Sequence, residues 1–427
     1  MKLLVVGGGG REHAIIRKLK ENPQVETIYA LPGNGGIAAD AVCVPEIGAK
    51  DLDRIVDFAK SHAVDFAVVA PDDPLALGCV DRLHEAGIPC FGPDAKAARI
   101  EASKVFSKNL MKKYGIPTAR YEVFDDPAKA LEYLRGEDVG FPIVVKADGL
   151  ALGKGVLIPQ SLEEAEAAVK TIMEDKAFGD SGNEIVIEEF LTGPEVSVLA
   201  FTDGTAIAPM ASSMDHKRAG DGDTGLNTGG MGTVAPNPFY TKDVAATCME
   251  KIFLPTLAAM RAEGCPFKGC LYFGLMITPD GPKVIEYNCR FGDPETQVVL
   301  PLLKTDLLTV MEAVENETLG DLNVDWHDGA AACVILASGG YPASYPKGKA
   351  ITIPADLPEN VTVYHAGDKL EGDRLVTSGG RVLGVTAVGG TLQDALADAY
   401  AAAERIEFEG KYMRHDIGKR ALSAMEG

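Results

Sequence analysis

Residues 1 to about 100 alternate short apolar runs with amphipathic stretches. KLLVV precedes REHAIIRKLKEN, ETIYAL precedes DLDRIVDFAKSH, and DFAVVA leads into a helical pattern that stops near Gly87. Apolar runs alternating with segments of helical period predict a parallel sheet covered by helices. The connecting loops are rich in Gly and Pro, at residues 32–36 (PGNGG), 71–74 (PDDP) and 87–93 (GIPCFGP). Such loops gather at the carboxyl edge of an open sheet, where ligands bind.

From Ser103 a helical stretch (SKVFSKNLMKKY) leads to FPIVVKADGLALGKGVLI, which reads as two β runs joined by a glycine loop. The helix SLEEAEAAVKTIM follows, then the β-rich EIVIEEFLTGPEVSVLAFTDG. The Gly/Asp stretch 215–232 is too long and too selective in residue type for a linker. After KVIEYNCRFGDPETQ a helical region runs to about Asn316, and beyond Asp325 short β runs (AACVILA, KAITIP, VTVYHA, RVLGVTAVG) surround one late helix, TLQDALADAYAAAERI. The class expected is therefore α/β and α+β multidomain, ending in a small α+β domain.

Composition narrows the partners. Dividing 427 residues by about 150 per domain gives near three domains, and 46% hydrophobic with 24% charged residues is an ordinary globular balance. A net charge of −21 argues against nucleic acid, while leaving room for a local basic pocket. The longest apolar runs fall far short of a bilayer span, and MKLLVV followed by glycines reads as a first strand rather than a signal peptide. No membrane association and a cytoplasmic location are the expectations. The cysteines contain no CxxC pair, so reduced and mostly buried thiols are expected.

Four features carry chemistry. The strand-to-helix turn Gly7–Gly10 lacks the dinucleotide spacing, because Glu12 stands where the third glycine belongs. It reads either as an anion site at a helix N-terminus or as a tight turn. The loop 149–155 (GLALGKG) is no Walker A motif, yet its amides and Lys154, with Lys146 ending the preceding run, suit nucleotide phosphates; the alternative is a surface hairpin. Glu188, Glu189, Phe190, Leu191 and Glu195 place backbone groups for an adenine edge and a carboxylate for ribose, or else form a solvated face. Glu286, Asn288 and Arg290 fall on one face of a strand by its period of two, offering oxygens for Mg²⁺ and a guanidinium for a carboxylate or phosphate.

In that order, with Lys104, these features resemble the ATP-grasp carboxylate-amine ligases, and within them the glycinamide ribonucleotide synthetase family. The resemblance rests on VVGGGGREHA (5–14), PGNGG, YGIPTA (114–119), VVKADGLALGKGV (144–156), DHKR (215–218), NTGGMG (227–232) and EYNCRFGDPETQ (286–297). It implies a Rossmann-like N-terminal domain (1–102), an ATP-grasp region (103–325, its smaller subdomain about 120–192) and a C-terminal domain (326–427). It implies a ligase of purine biosynthesis that takes ATP, glycine and 5-phosphoribosylamine with Mg²⁺ or Mn²⁺, and leaves room for transient contact with the enzyme supplying the amine.

Carried over by position, Lys104, Lys146, Gly153, Lys154 and Gly155 would meet phosphates, while Glu188, Glu189, Phe190, Leu191 and Glu195 would hold adenosine. Glu286 and Asn288 would bind metal. Gly8, Gly9, Gly10, Gly33, Asn34, Gly35 and Gly36 would receive phosphoribosylamine, with Asn227 and Thr228 also on the substrate side. Asp215 and Arg290 would orient glycine, and with Lys146 form the catalytic group. GCLYFGLMI, the preceding β run, offers no further acidic metal ligand.

Overall fold

The computed structural model describes residues 1–150 and 155–426. β1 (Lys2–Gly7) turns into α1 (Gly10–Leu19), and β2 (Thr27–Pro32), β3 (Val42–Cys43), β4 (Phe66–Val69) and β5 (Cys90–Phe91) complete a parallel sheet of order β3-β2-β1-β4-β5. Strand alternation sends Leu4, Val6, Ala67 and Val69 into the core on one face and Leu3, Val5, Phe66 and Val68 into the core on the other. The strand order reverses at β1, so Gly8–Gly10 and the PGNGG loop open onto the crevice where such sheets bind ligands.

Next come β6 (Tyr121–Phe124), β7 (Ile143–Ala147), β8 (Val156–Leu157) and β9 (Ile185–Glu189), an antiparallel sheet of order β6-β9-β7-β8. This subdomain has a core of its own, including Ala130, Leu134, Val145, Ala165 and Ile187. The expected hairpin around the glycine loop forms, with Lys146 opposite Val156. Gly153 and Lys154 lie outside the described residues.

The chain continues through β10 (Glu195–Asp203), β11 (Ile207–Pro209), β12 (Met214–Asp215), the hairpin of β13 (Arg218–Gly220) and β14 (Thr224–Asn227), β15 (Gly232–Ala235), β16 (Lys268–Thr278) and β17 (Gly281–Asn288). Strands β11-β10-β16-β17 form one sheet, whose faces feed the same two cores as the N-terminal sheet. β12 and β15 lie outside it. They join β18 (Ala330–Ser338), β19 (Val361–His365) and, after the hairpin β20 (Asp368–Glu371) and β21 (Arg374–Thr377), β22 (Arg381–Gly389), in the order β12-β15-β18-β22-β19. The C-terminal sheet thus borrows two strands from before residue 325, and Met214 and Val234 lie in its core.

Two expectations need correction. KAITIP is not a strand: Ile351 N bonds Leu375 O while Thr352 N bonds Glu407 O, so neighbouring amides serve different elements and no ladder extends. A second late helix, Lys419–Glu426, follows Leu392–Arg405.

The N- and C-terminal domains meet at His13. Its buried ring lies 2.8 Å from Asp40 through Nε2, and Nδ1 accepts the His365 backbone N–H at 2.8 Å, which requires a neutral ring. Burial lowers the His13 pKa below 6.5, with Asp40 opposing and His365 and Arg17 adding to the shift. Because the unfolded histidine takes up its proton first, this group's contribution is complete above about pH 6.5 and declines as pH falls toward the native pKa. We expect the urea midpoint to drop between about pH 7.5 and 5.5, and to drop less in His13→Gln. Equal pH dependence in the two proteins would disprove the role of His13.

Candidate active site

Glu188 is 4% exposed and stands between two ammonium groups, 3.0 Å from Lys146 Nζ and 3.2 Å from Lys108 Nζ. The pairing of β7 with β9 sets Val144 opposite Glu188, so Lys146, two residues on, shares its face. Lys146 also donates to Ile285 O (3.1 Å); Lys108 donates to Thr118 Oγ1 (2.7 Å), which donates to Val284 O (2.7 Å). Burial pushes Lys108 down to about 8 despite the pull of Glu188. Sequence reasoning assigned Glu188 to adenosine and overlooked Lys108. The structure points this carboxylate at the lysines, leaving the strand's backbone and exposed Phe190, with half-buried Leu191, at the edge.

Lys104, at the start of the helix Lys104–Tyr114, donates to Gly149 O at 2.8 Å. Burial lowers its pKa, while Glu286 pulls it up. Gly155 closes the hairpin by accepting Ala147 N–H. Glu189 is engaged by Arg120 through its backbone N (3.0 Å) and Nε (3.1 Å).

Glu286 and Asn288 share a face of β17, as the period of two requires. Between Glu286 and the exposed Glu195 lies Lys217, its Nζ 3.8 Å from each carboxylate. Burial acts to raise the Glu286 pKa, but Lys217, Lys146, Lys104 and Arg290 outweigh it and hold the carboxyl below its usual range. Arg290 follows the strand; NH2 lies 3.1 Å from Glu101 and 3.5 Å from Asn288 Oδ1, while its buried Nε has no partner among the described residues.

Asp215, half-buried, ends β12 opposite Thr233 of β15. Burial first, and the charge of Glu295 second, push its carboxyl well above the usual range. Glu295 accepts the Tyr272 hydroxyl at 2.9 Å. Thr228 holds the Lys217 carbonyl through its backbone N (2.7 Å) and hydroxyl (2.8 Å), whereas Asn227 is exposed opposite Arg218 on the hairpin.

At the crevice of the first sheet, α1 already carries two protein carboxylates on its terminal amides: Glu12 on Gly9 N (2.7 Å) and Asp293 on Arg11 N (3.1 Å). A helix N-terminus attracts anions, and a neighbouring domain's Asp exploits this. Arg381 from β22 bonds Asp293 O (2.8 Å) and Gly229 O (2.9 Å), tying the C-terminal domain to the central one, and Asp293 in turn holds Arg11 N of the N-terminal domain. In PGNGG, Asn34 Nδ2 donates to Gly8 O (3.0 Å) and His365 O (2.8 Å), and Gly36 must lack a side chain because a Cβ would lie 1.8 Å from the His365 ring. These loops therefore serve domain packing as well as bordering the crevice. Lys108, Lys217, Glu101, Glu295, Arg11 and Arg381 were missed as site residues. Lys217, Arg11 and Glu295 stand inside DHKR, GGGGREHA and FGDPET, where the motif could have flagged them; nothing local marks Lys108, Glu101 or Arg381.

Comparison with known proteins gives the family. Residues 1–101 match the phosphoribosylglycinamide synthetase N domain, 102–296 its ATP-grasp (A) domain and 331–420 its C domain. Phosphoribosylamine–glycine ligase of Vibrio vulnificus is 47% identical over 99% of both chains, and that of Nostoc sp. 49% over 99% of this chain and 100% of the relative. The bifunctional purine biosynthetic protein PUR2,5 of Pichia angusta is 49% identical, and this chain spans 54% of its length. The crystal structure of phosphoribosylamine–glycine ligase from Thermotoga maritima superposes with a TM-score of 0.86 at 36% identity, over 98% of this chain and 100% of the other. A Campylobacter jejuni biotin carboxylase shares the fold alone, with a TM-score of 0.73 at 14% identity, over 100% of this chain and 95% of the other. No described helix is long and apolar enough to cross a membrane. With all three domain matches in chain order and relatives of nearly equal length, the chain belongs to the phosphoribosylglycinamide synthetase family.

Proposed function

We propose that this chain joins glycine to 5-phosphoribosylamine at the expense of ATP, giving glycinamide ribonucleotide, ADP and phosphate. The observation that carries the reading is the group of Lys217, Lys146, Lys104 and Arg290 whose charges hold the Glu286 carboxyl below its usual range, while the buried Arg290 Nε has no partner among the described residues. An orphaned buried donor is costly unless something satisfies it, and a substrate carboxylate does.

A divalent cation fits the same strand. Glu286 and Asn288 provide two hard oxygen donors on one face, and no described group of three His, Cys, Asp or Glu side chains could form a complete cage. That matches Mg²⁺ or Mn²⁺ sites completed by nucleotide phosphates. When bound, such an ion neutralises developing phosphate charge.

Glycine's carboxylate cannot be attacked directly, because oxide would have to leave. In the proposed order a carboxylate oxygen attacks the ATP γ-phosphorus, ADP departs, and glycyl phosphate forms. The amine of phosphoribosylamine then attacks the acyl carbon, the C–O bond to phosphate breaks, and the amine gives up a proton. Lys104 and Lys146 hold phosphates, Arg290 is fixed by Glu101 to grip the carboxylate, and Asp215 with Glu295 faces the glycine ammonium. Each charged contact is worth about 3 kcal/mol of barrier, by analogy with oxyanion donors.

In Glu286→Gln we expect turnover to fall about a hundredfold and Mn²⁺ binding, followed by calorimetry with ATP present, to weaken, because an amide lacks the charge a hard cation prefers. Wild-type turnover and Mn²⁺ affinity in the purified variant would overturn the metal assignment. Glycine labelled with ¹⁸O in its carboxylate should pass one labelled oxygen to inorganic phosphate in each turnover. Unlabelled phosphate, with controls excluding oxygen exchange, rules out the acyl phosphate, and absence of glycine-dependent ADP release rules out the ligase reading itself.

A further inference from the structure

His216 lies between Asp215 and Lys217; its ring meets Gly232 and Gly418, whereas Lys217 reaches Glu195 and Glu286. It is 7% exposed, and each of its polar groups is engaged. The ring Nδ1–H donates to Gly232 O (3.0 Å), and Nε2 accepts the Gly418 backbone N–H at 3.1 Å. Its backbone N donates to Gly232 O (3.0 Å) and Asp215 Oδ1 (2.7 Å), and its carbonyl accepts Met231 N–H (2.8 Å). Burial lowers the pKa and keeps the ring neutral, as acceptance from Gly418 demands.

The partner is built for this contact. Gly418 has φ +78, and a Cβ there would lie 2.6 Å from Leu396 Cδ1, so its amide comes close only because it is glycine. The segment before it is anchored by Arg414, 1% exposed, whose guanidinium binds Asp416 (2.8 and 2.9 Å), Asp223 (3.0 Å) and Arg218 O (3.1 Å). Tyr412 adds a bond from its hydroxyl to Ala219 O at 2.6 Å. Residues 412–418 thus grip the chain on both sides of Lys217.

We infer that His216 is a positioning residue through which the C-terminal segment sets Asp215 and Lys217 in the cleft. The inference rests on the assignment of those two residues to the glycine side of the reaction. A backbone shift of about 1 Å at such groups costs on the order of a hundredfold in rate, and His216 is the link that prevents it.

The test measures glycine-dependent ADP release and thermal stability in His216→Leu, His216→Gln, Arg414→Met and the double variant His216→Leu/Arg414→Met, with Asp215→Asn as reference. His216→Leu should raise KM for glycine about tenfold and lower kcat between tenfold and a hundredfold, with KM for phosphoribosylamine unchanged. His216→Gln, whose amide keeps a donor and an acceptor, should recover most of the loss. Arg414→Met should show the same split, and the double variant should be no worse than the poorer single, because both break one linkage. Normal glycine kinetics in folded His216→Leu, uniform changes in all three substrates, or additive losses would overturn the inference. Should His216→Leu fail to fold, a normal glycine KM in Arg414→Met overturns it instead. If Asp215→Asn leaves the glycine KM untouched, the cleft assignment falls and the inference with it.

Discussion

The arrangement depends on one buried carboxylate. Glu188 lies 3.0 and 3.2 Å from two ammonium groups in a subdomain that has its own small core and so owes little of its position to shared apolar packing. Removing one partner of such a cluster leaves an uncompensated buried charge, typically 3–5 kcal/mol. The lysines are not free to relax, because Lys146 also reaches Ile285 O and Lys108 reaches Val284 O through Thr118. The cluster therefore seats the antiparallel sheet against β17 within two residues of Glu286. Lys146, proposed to hold phosphate, is thereby kept in register with the proposed metal ligands.

Around that seat the other domains are joined by polar contacts at helix and strand ends. Asp293 occupies an α1 terminal amide while Arg381 holds the Asp293 carbonyl, so N-terminal, central and C-terminal residues meet at one turn. The C-terminal sheet takes β12 and β15 from the central stretch, which places Asp215 on its edge strand, two residues before Lys217. The net charge of −21 is no obstacle to binding polyanionic ATP. Within a Debye length of roughly 10 Å the nearby lysines dominate the field.

Much of this was legible along the chain, wherever local periodicity decides the outcome. The unbroken apolar runs in KLLVV and DFAVVA specified strands of a covered parallel sheet, the run ending in Lys146 and the glycines after it specified a hairpin, and the spacing of Glu286 and Asn288 specified a shared face. A period of two, a period of 3.6 and glycine's freedom are properties of a few neighbouring residues, so no partner need be known. What the sequence left open was decided by partners far away in it. The motif around Glu188 does not show that its side chain meets Lys108, from 80 positions earlier; KAITIP reads as a strand until its amides divide between two elements; and nothing near Asp215 shows that its strand pairs into a sheet with β18. Where a polar side chain points is set by which charge it must meet on burial, and only the tertiary structure supplies that charge.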